Sequence, residues 1–293
     1  MLKNASSMVI AACLLAGSAS AADAEAVAGK IGASHRIVER GVWNGGSRIV
    51  FEFNGEEAWV VVPSATEAEG RPWTWTMEWP TAFVSRTGVP AMLARGWHHV
   101  TLRPGFYKDG KFVSKPGNMN DDRLKRSREF QRFLVDELGF APKACLIGMS
   151  WGGFYSVRYS GTYPDCVRRV YLDAPLLDFT TLPSWPKWGI CEVYRVQESY
   201  VGADDPRMPV NMAEPMAKGG VEVMLLYGGQ DQTVPPAKNC ERFVSRFLAA
   251  GGKLVNGIRN GDNRRRSAYG HHPHGLELDE QTKFVDFFEN GVK

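Results

Sequence analysis

A serine in a glycine-rich turn is the first residue of this chain that could do chemistry. Ser150 is the centre of a G-x-S-x-G pentapeptide, residues 148–152, and the apolar run 144–149 leads into it. Glycines on both sides permit a sharp strand-to-helix turn, because larger side chains there would clash with the neighbouring backbone. Such a turn strains the serine backbone and presents the hydroxyl at the end of the strand. The pattern therefore predicts a nucleophilic serine at position 150.

An acid that could help to activate this serine follows it in the chain. A serine hydroxyl becomes a strong nucleophile when a base takes its proton and a carboxylate orients that base. Asp231 lies in the glycine-containing loop 228–235, directly after the apolar run 221–227. We therefore predict Asp231 as the orienting carboxylate, with Asp173 and Asp178, after the preceding strand, as the alternatives.

The histidines cluster near the C-terminus, where the base is expected. Three of the chain's six histidines lie within residues 271–274. His271 follows a glycine and precedes the last predicted helix, which favours it as the base, and His274 is the alternative. A three-histidine metal site is disfavoured, because an H-H-x-H run on one loop does not easily surround a tetrahedral ion. We expect neither a metal nor any other cofactor.

The negative charge that would develop on a substrate oxygen needs hydrogen-bond donors beside the serine. The backbone N–H of Trp151, the residue after the serine, is the expected first donor. The second donor should come from the loop that follows the third predicted strand. Pro80 in that loop has no N–H, so Trp79 or Thr81 must supply it.

The arrangement of apolar runs predicts an α/β domain. Asn54-Gly55 joins two strand-like runs, which is a strong signal for a β-hairpin. Strands are predicted at 48–53, 57–62, 72–79, 98–102, 143–149, 167–173, 221–227 and 253–258, and helices at 121–138, 152–163, 236–250 and 280–290. A hairpin followed by alternating strands and helices indicates a mostly parallel sheet with helices on both faces.

Two stretches interrupt this alternation. Residues 22–45 are small and polar, so we expect a loose N-terminal lead-in. Residues 177–217 contain several prolines and aromatic side chains, which favours a small cap over the carboxyl edge of the sheet. Within this cap, Trp185 and Trp188 are candidates for contacts with a substrate, although most tryptophans are core residues.

The N-terminal residues have the pattern of an export signal. Lys3 precedes an apolar stretch at 8–16, and an A-x-A cleavage site occupies 19–21. The stretch is too short to span a membrane, so we expect no stable membrane insertion. We predict a signal peptide at 1–21 and a periplasmic or secreted mature chain. Lipidation at Cys13 is less favoured, because the apolar run continues beyond it.

Charge and cysteine content narrow the class of protein further. The net charge is +3, and no charge block is long enough to indicate nucleic-acid binding. The dense basic run at 264–266 makes Arg265 a candidate for holding a substrate carboxylate, although a solvated loop is the simpler interpretation. Without the signal, four cysteines remain, and in an oxidising compartment they permit three disulfide pairings: Cys145, Cys166, Cys191 and Cys240.

Several short motifs together resemble those of a known family. They are the elbow with its double glycine at 148–153, Asp-Ala-Pro at 173–175, G-x-x-D-x-x-V-P at 228–235, G-H-H-P-H at 270–274 and the tryptophan-rich segment 71–75. The chain resembles a family of exported bacterial α/β-hydrolases that includes carbohydrate esterases acting on pectin, among them a pectin methylesterase. The resemblance, which runs from about Arg48 to the C-terminus, implies the α/β-hydrolase fold, and we predict a single domain at 22–293. It also implies a small-molecule or polysaccharide ester as substrate, so that Trp185 and Trp188 could stack on a sugar ring and Arg265 could hold a sugar carboxylate.

One position departs from the family pattern. The family's elbow usually carries an arginine after the nucleophile, which could hold a uronate carboxylate, and this chain has Trp151 there. The departure weakens the case for pectin and leaves the hydrolase chemistry intact. The sequence hypothesis is therefore an exported serine esterase acting on a carbohydrate or other ester. The alternatives are a serine peptidase or acyltransferase that uses the same three residues, and a non-catalytic glycan-binding module.

Overall fold

The structure, a computed structural model, describes residues 21–85, 87–114, 119–182, 204–229, 231–259, 271 and 278–292. The strands are β1 (Ile37–Trp43), β2 (Gly46–Phe53), β3 (Glu56–Pro63), β4 (Trp73–Thr76), β5 (His98–Arg103), β6 (Gly105–Lys108), β7 (Lys111–Ser114), β8 (Ala144–Met149), β9 (Val167–Asp173), β10 (Glu222–Gly228) and β11 (Leu254–Arg259). The helices are α1 (21–32), α2 (Val89–Leu93), α3 (Asp121–Asp136), α4 (Trp151–Thr162), α5 (Ala213–Lys218), α6 (Cys240–Ala249) and α7 (Leu278–Asn290).

Nine of the described strands form one sheet, in the order β1-β2-β3-β5-β4-β8-β9-β10-β11. Pairing is antiparallel from β1 to β5 in that order, and parallel from β5 to β11. The predicted hairpin at Asn54-Gly55 is confirmed, since it joins β2 and β3 and both residues have positive φ, 49° and 82°. Those values suit a type I′ turn, whose twist matches that of the flanking strands.

Helices cover both faces of the sheet, as predicted. Every residue of β8 is buried, and its alternate side chains face opposite ways. Ala144 and Leu146 pack in one core with apolar residues of α1, α3, α4 and α6, whereas Cys145 and Ile147 pack in a second core with α2 and α7. A continuous apolar run is typical of a parallel strand that is buried on both faces. The predicted α/β class with an N-terminal antiparallel hairpin is therefore confirmed.

The predicted loose lead-in at 22–45 is wrong, because this segment contains α1 and β1. Four apolar residues of α1 pack against the core: Ala24, Val27, Ala28 and Ile31. Their i, i+3, i+4, i+7 spacing is that of an amphipathic helix, but small alanine side chains make the pattern weak. β1 lies at the edge of the sheet with mostly exposed side chains, and Asn44-Gly45 turns it into β2.

Two other elements differ from the sequence prediction. β6 and β7 form an unpredicted hairpin, and its turn, Asp109-Gly110, has φ values of 51° and 75°. An Asp-Gly pair with positive φ is a hairpin signal of the same kind as Asn-Gly. The strand predicted at 72–79 ends at Thr76, so that Trp79 lies in the loop beyond it.

The helix predicted at 236–250 is divided in two. A short 3₁₀ turn, Pro236–Lys238, precedes α6, and Asn239 lies between them. The Asn239 side-chain oxygen accepts hydrogen bonds from the backbone N–H groups of Leu177 and Asp178, both at 2.8 Å. Asn239, at this break, therefore connects the start of α6 to the loop that follows β9.

Part of the predicted cap at 177–217 lies outside the described residues, namely 183–203 with Trp185 and Trp188. The two described ends of this segment pack on the sheet. Eight of their apolar residues are buried in the larger core: Leu177, Phe179, Leu182, Met208, Val210, Met212, Ala213 and Met216. The predicted signal peptide at 1–21, apart from its last residue, is also outside the described residues. No helix in the described ranges has both the length and the apolar character that a membrane span requires.

Candidate active site

The turn between β8 and α4 holds Ser150 in a conformation that L-amino acids rarely adopt. Its φ is 49° and its ψ is −115°. The glycine before it is required, because a Cβ on Gly148 would lie 2.5 Å from both the Gly152 carbonyl oxygen and the Ser156 Oγ. The strained turn therefore depends on the residue types that the sequence motif contains.

The end of β9 and the loop after it brace this turn. The Ser150 backbone N–H donates to the Asp173 carbonyl at 3.1 Å, and the Ser150 carbonyl accepts the Leu176 N–H at 3.0 Å. The same carbonyl accepts the N–H groups of Gly153 and Phe154, which begins the hydrogen bonding of α4. Hydrogen bonds to β9, to the loop after it and to the start of α4 thus fix the backbone of the strained serine.

A chain of hydrogen bonds links the serine to the predicted base and acid. His271 Nε2 lies 3.1 Å from Ser150 Oγ, and His271 Nδ1 lies 2.8 Å from Asp231 Oδ2. When Nδ1 carries the imidazole proton, it donates to the carboxylate, and Nε2 can accept the serine proton. The carboxylate would then stabilise the positive charge that forms on the ring.

The carboxylate of Asp231 is buried and held in one orientation. Its Oδ1 atom accepts the backbone N–H groups of Thr233 and Val234, at 2.8 and 3.0 Å. The Asp231 side chain is about 1% exposed and that of His271 is 19% exposed. With Oδ1 occupied by the backbone, Oδ2 is directed at the imidazole.

The alternative acids have other contacts. The Asp173 carboxylate accepts the Tyr171 hydroxyl at 3.2 Å. Asp178 caps a short 3₁₀ turn and accepts the Thr180 N–H at 3.0 Å. The 2.8 Å contact to the His271 ring is made by Asp231.

Of the other predicted site residues, some lie outside the described residues and others lie beside the serine. His274, the alternative base, and Arg265, the candidate for a sugar carboxylate, lie outside the described residues. Trp151 is half-buried, and its ring packs against that of Phe154 with centroids 5.3 Å apart. As the first residue of α4, Trp151 has its N–H at the positive end of the helix dipole, where the helix supplies no carbonyl partner.

Trp79 follows β4 in a tight turn beside the serine. Its φ is 58°, and its carbonyl accepts the Ala82 N–H at 2.9 Å across Pro80. The preceding segment is fixed to the elbow strand, because the Met77 N–H donates to the Ile147 carbonyl at 3.1 Å. Trp79 is therefore held at the edge of the site from which the second donor was expected.

An apolar cleft of about 190 Å³ adjoins Ser150. Its other lining residues are Trp79, Ala82, Phe83 and Met149. Trp79 and Phe83 are 47% and 38% exposed, so aromatic surface is open to a ligand beside the nucleophile. A cleft of this kind can hold a small apolar part of a substrate.

Glu78, which precedes Trp79, is a residue of the site that sequence reasoning missed. It packs against α4, since a Cβ on Gly152 would lie 3.4 Å from the Glu78 Cβ. Burial raises the pKa of its carboxyl to about 7, against the lowering effects of Arg103 and of the Trp79 backbone N–H. Its position next to Trp79, a predicted oxyanion donor, is the signal that could have identified it.

The described cysteines do not provide a competing nucleophile. Cys145, Cys166 and Cys240 are buried thiols. Burial raises the pKa of Cys145 to about 12 and that of Cys166 to about 11, so neither is a thiolate at neutral pH. Within the described ranges, no group of three or more His, Cys, Asp or Glu side chains could hold a metal ion.

Comparisons with known proteins agree with this architecture. Residues 113–199, which include the elbow, match the sequence profile of a family described as alpha/beta hydrolase fold. No curated protein sequence is significantly similar to the chain. The sheet, its helices and the profile match together show that this chain has the α/β-hydrolase fold.

Solved structures of hydrolases share this fold. A puromycin-hydrolysing peptidase from Mycobacterium tuberculosis superposes with a TM-score of 0.62 at 16% identity, over 86% of this chain and 40% of that one. A Bacteroides ovatus chain described as a dipeptidyl aminopeptidase IV gives 0.59 at 15% identity, over 86% and 35%. An S-formylglutathione hydrolase from Agrobacterium tumefaciens gives 0.60 at 14% identity, over 88% and 100%. The chain thus spans less than half the length of the two peptidases.

Proposed function

We propose that this chain is an exported serine esterase that hydrolyses a carbohydrate ester. The observation that carries the proposal is the pair of hydrogen bonds that the His271 ring makes, with Ser150 Oγ at 3.1 Å and with Asp231 Oδ2 at 2.8 Å. A base between a serine and a buried carboxylate is the arrangement that activates a hydroxyl for acyl transfer. The strained elbow supports it further, because backbone strain of this kind is typical of functional sites.

The reaction uses these groups in two steps. Ser150 Oγ attacks the ester carbonyl carbon while His271 Nε2 takes its proton, and Asp231 stabilises the imidazolium. The Trp151 N–H and a second N–H, from Trp79 or Thr81, stabilise the oxyanion. His271 then protonates the leaving alcohol, which leaves an acyl group on the serine. Water, deprotonated by the same imidazole, releases the acid.

The cleft beside the serine supports a small acyl group. A cavity of about 150 Å³ holds one benzene-sized molecule, and the cleft of about 190 Å³ is only slightly larger. The sugar would then be the alcohol part of the ester, as in an acetylated polysaccharide. The exposed ring of Trp79 is suited to stacking on a sugar beside the serine. Trp185, Trp188 and Arg265 remain further candidates for sugar contacts.

Export is part of the proposal. We propose that residues 1–21 are removed as a signal peptide and that 22–293 form one domain in the periplasm or outside the cell. The buried face of α1 supports this, because it shows core packing beginning a few residues after the A-x-A site. N-terminal sequencing of the protein recovered from an exporting host should begin near Ala22.

A peptidase is the second candidate, favoured by the fold likeness to two peptidase structures. The two activities need different leaving groups, an alcohol or an amine. A panel of p-nitrophenyl acetate, acetylated and methyl-esterified polysaccharides and aminoacyl anilides separates them. Acetate release from the polysaccharide supports the proposal, whereas cleavage restricted to the anilides contradicts it.

Ser150→Ala tests the catalytic assignment. The variant should lose about 10⁶-fold in kcat and should no longer react with a fluorophosphonate probe. Ser160→Ala is the matched control, since Ser160 lies on α4 and donates to the Ser156 carbonyl at 2.7 Å, away from the elbow. Wild-type protein that neither hydrolyses any ester nor reacts with the probe would instead be a non-catalytic module.

A further inference from the structure

Glu78 is a partly buried acid, with one buried carboxylate oxygen, that the proposed triad does not use. It follows β4 and precedes Trp79, which lines the cleft together with Ser150. On its other side it meets α4, where its Cβ, N and O lie 3.4 to 3.5 Å from an ideal Cβ on Gly152. Glu78 therefore lies between the two segments that carry the candidate oxyanion donors.

Few interactions in the structure would stabilise a negative charge on the Glu78 carboxyl. Its Oε2 atom is buried and has no hydrogen-bond partner in the described part of the chain. Arg103, at the end of β5, attracts it, but that guanidinium is bound to Glu57 of β3 and lies 4.8 Å from the centroid of the Phe112 ring. α4 presents Gly152 here, which has no side chain. Burial therefore dominates, and the pKa of Glu78 rises to about 7.

One contact of the charged form bears directly on catalysis. The backbone N–H of Trp79, the next residue in the chain, lowers the pKa of Glu78 and so favours its charged form. The same N–H is a candidate donor to the substrate oxyanion, and it cannot serve both acceptors fully. A carboxylate charge in a site of low dielectric would also repel an oxyanion that forms nearby.

We propose that Glu78 is a positioning residue of the oxyanion hole: when neutral it releases the Trp79 N–H to the substrate oxygen, and when charged it retains that N–H. The inference rests on the proposed serine-hydrolase function. Activity then requires Glu78 with its proton, so the rate should fall as the pH rises above the pKa of that carboxyl, about 7.

Glu78→Gln tests this dependence, because glutamine has nearly the same shape and carries no charge. In the wild type, kcat for p-nitrophenyl acetate should fall about tenfold per pH unit above pH 7, near the pKa of Glu78. In E78Q the alkaline fall should be absent, and KM should not change. Glu69→Gln removes an exposed acid from the loop after β3 and should retain the fall.

A second measurement needs no variant. A trifluoromethyl ketone forms a hemiketal oxyanion with a catalytic serine and therefore reports on the oxyanion hole. Its inhibition constant for the wild type should rise as the pH increases above the pKa of Glu78, about 7. In E78Q it should not rise.

The inference is overturned by an alkaline fall of equal size in wild type and E78Q, or by a flat alkaline profile in the wild type. A uniform loss of kcat in E78Q at every pH would also overturn it, because that result indicates a purely structural role. The proposed function fails separately: wild-type protein would then show neither ester hydrolysis nor fluorophosphonate labelling of Ser150 at any pH tested.

Discussion

Gly153 packs directly against Pro175, so closely that a Cβ on Gly153 would lie 2.3 Å from the proline Cβ. Pro175 lies in the loop after β9, and its neighbour Leu176 donates a hydrogen bond to the Ser150 carbonyl. This contact therefore sets how the bracing loop meets the strained serine.

Gly153→Ala should force the loop and the elbow apart. We expect a loss of about 1–3 kcal/mol in the free energy of unfolding, as for other overpacked sites. We also expect kcat to fall about 10²-fold, because a small displacement of the nucleophile misaligns the reaction. Thermal unfolding and ester hydrolysis measure the two effects. Gly152→Ala, whose Cβ would have 3.4 Å to its nearest neighbour, is the matched control; equal effects of both variants would contradict the explanation.

Asp231→Asn should preserve the fold and lower kcat about 10⁴-fold, because an amide cannot hold the imidazole in the required tautomer. KM should change little, since Asp231 is buried behind the histidine. Steady-state kinetics on p-nitrophenyl acetate measure both constants. Asp173→Asn is the comparison variant. A larger loss in Asp173→Asn than in Asp231→Asn would show that the acid has been assigned wrongly.

Phe83→Ala should widen the cleft beside the serine and shift the preferred acyl length. Phe83 is 38% exposed, so its truncation should cost little stability. Each methylene that the larger cleft buries is worth about 0.8 kcal/mol, which is about fourfold in kcat/KM. The ratio of kcat/KM for hexanoyl and acetyl esters should therefore rise. An unchanged ratio would mean that the acyl group does not enter this cleft.

The pH dependence of stability provides a test of Glu78 that does not involve catalysis. Its pKa in the folded chain is raised from 4.5 to about 7, so the folded state retains a proton that the unfolded state releases. The resulting stability is fully present below pH 4.5 and is lost as the pH rises through about 7. The loss is on the order of 3 kcal/mol. E78Q should lack it, so that denaturant titrations at pH 5 and pH 8 give a smaller difference for E78Q than for the wild type.

Local patterns in the sequence predicted most of the elements that position the site. The apolar run before the elbow, and the order of serine, aspartate and histidine, are visible without any tertiary information. The structure then brings His271 within hydrogen-bond distance of both Ser150 and Asp231. Asn54-Gly55 was sufficient for one hairpin, and the same two-residue signal also marks the two hairpins that sequence reasoning did not assign.

The remaining features depend on contacts between distant segments. α1 was missed because two of its four core residues are alanines, whose burial becomes apparent only from packing. The altered acidity of Glu78 arises where the ends of β4 and β5 meet the start of α4, which no local window of sequence contains. The burial of the Glu78 carboxylate is therefore a feature of the site that only the structure could reveal.

The central position of β8 has a consequence for how the protein would lose activity. β8 pairs with β4 and β9, and all six of its residues are buried. Backbone amides in such a strand exchange with solvent through the largest unfolding events, whereas edge elements open locally. Ser150 is thus attached to the part of the molecule that opens last. Fraying of β1 at the sheet edge would leave the nucleophile in place, and heat inactivation should coincide with global unfolding.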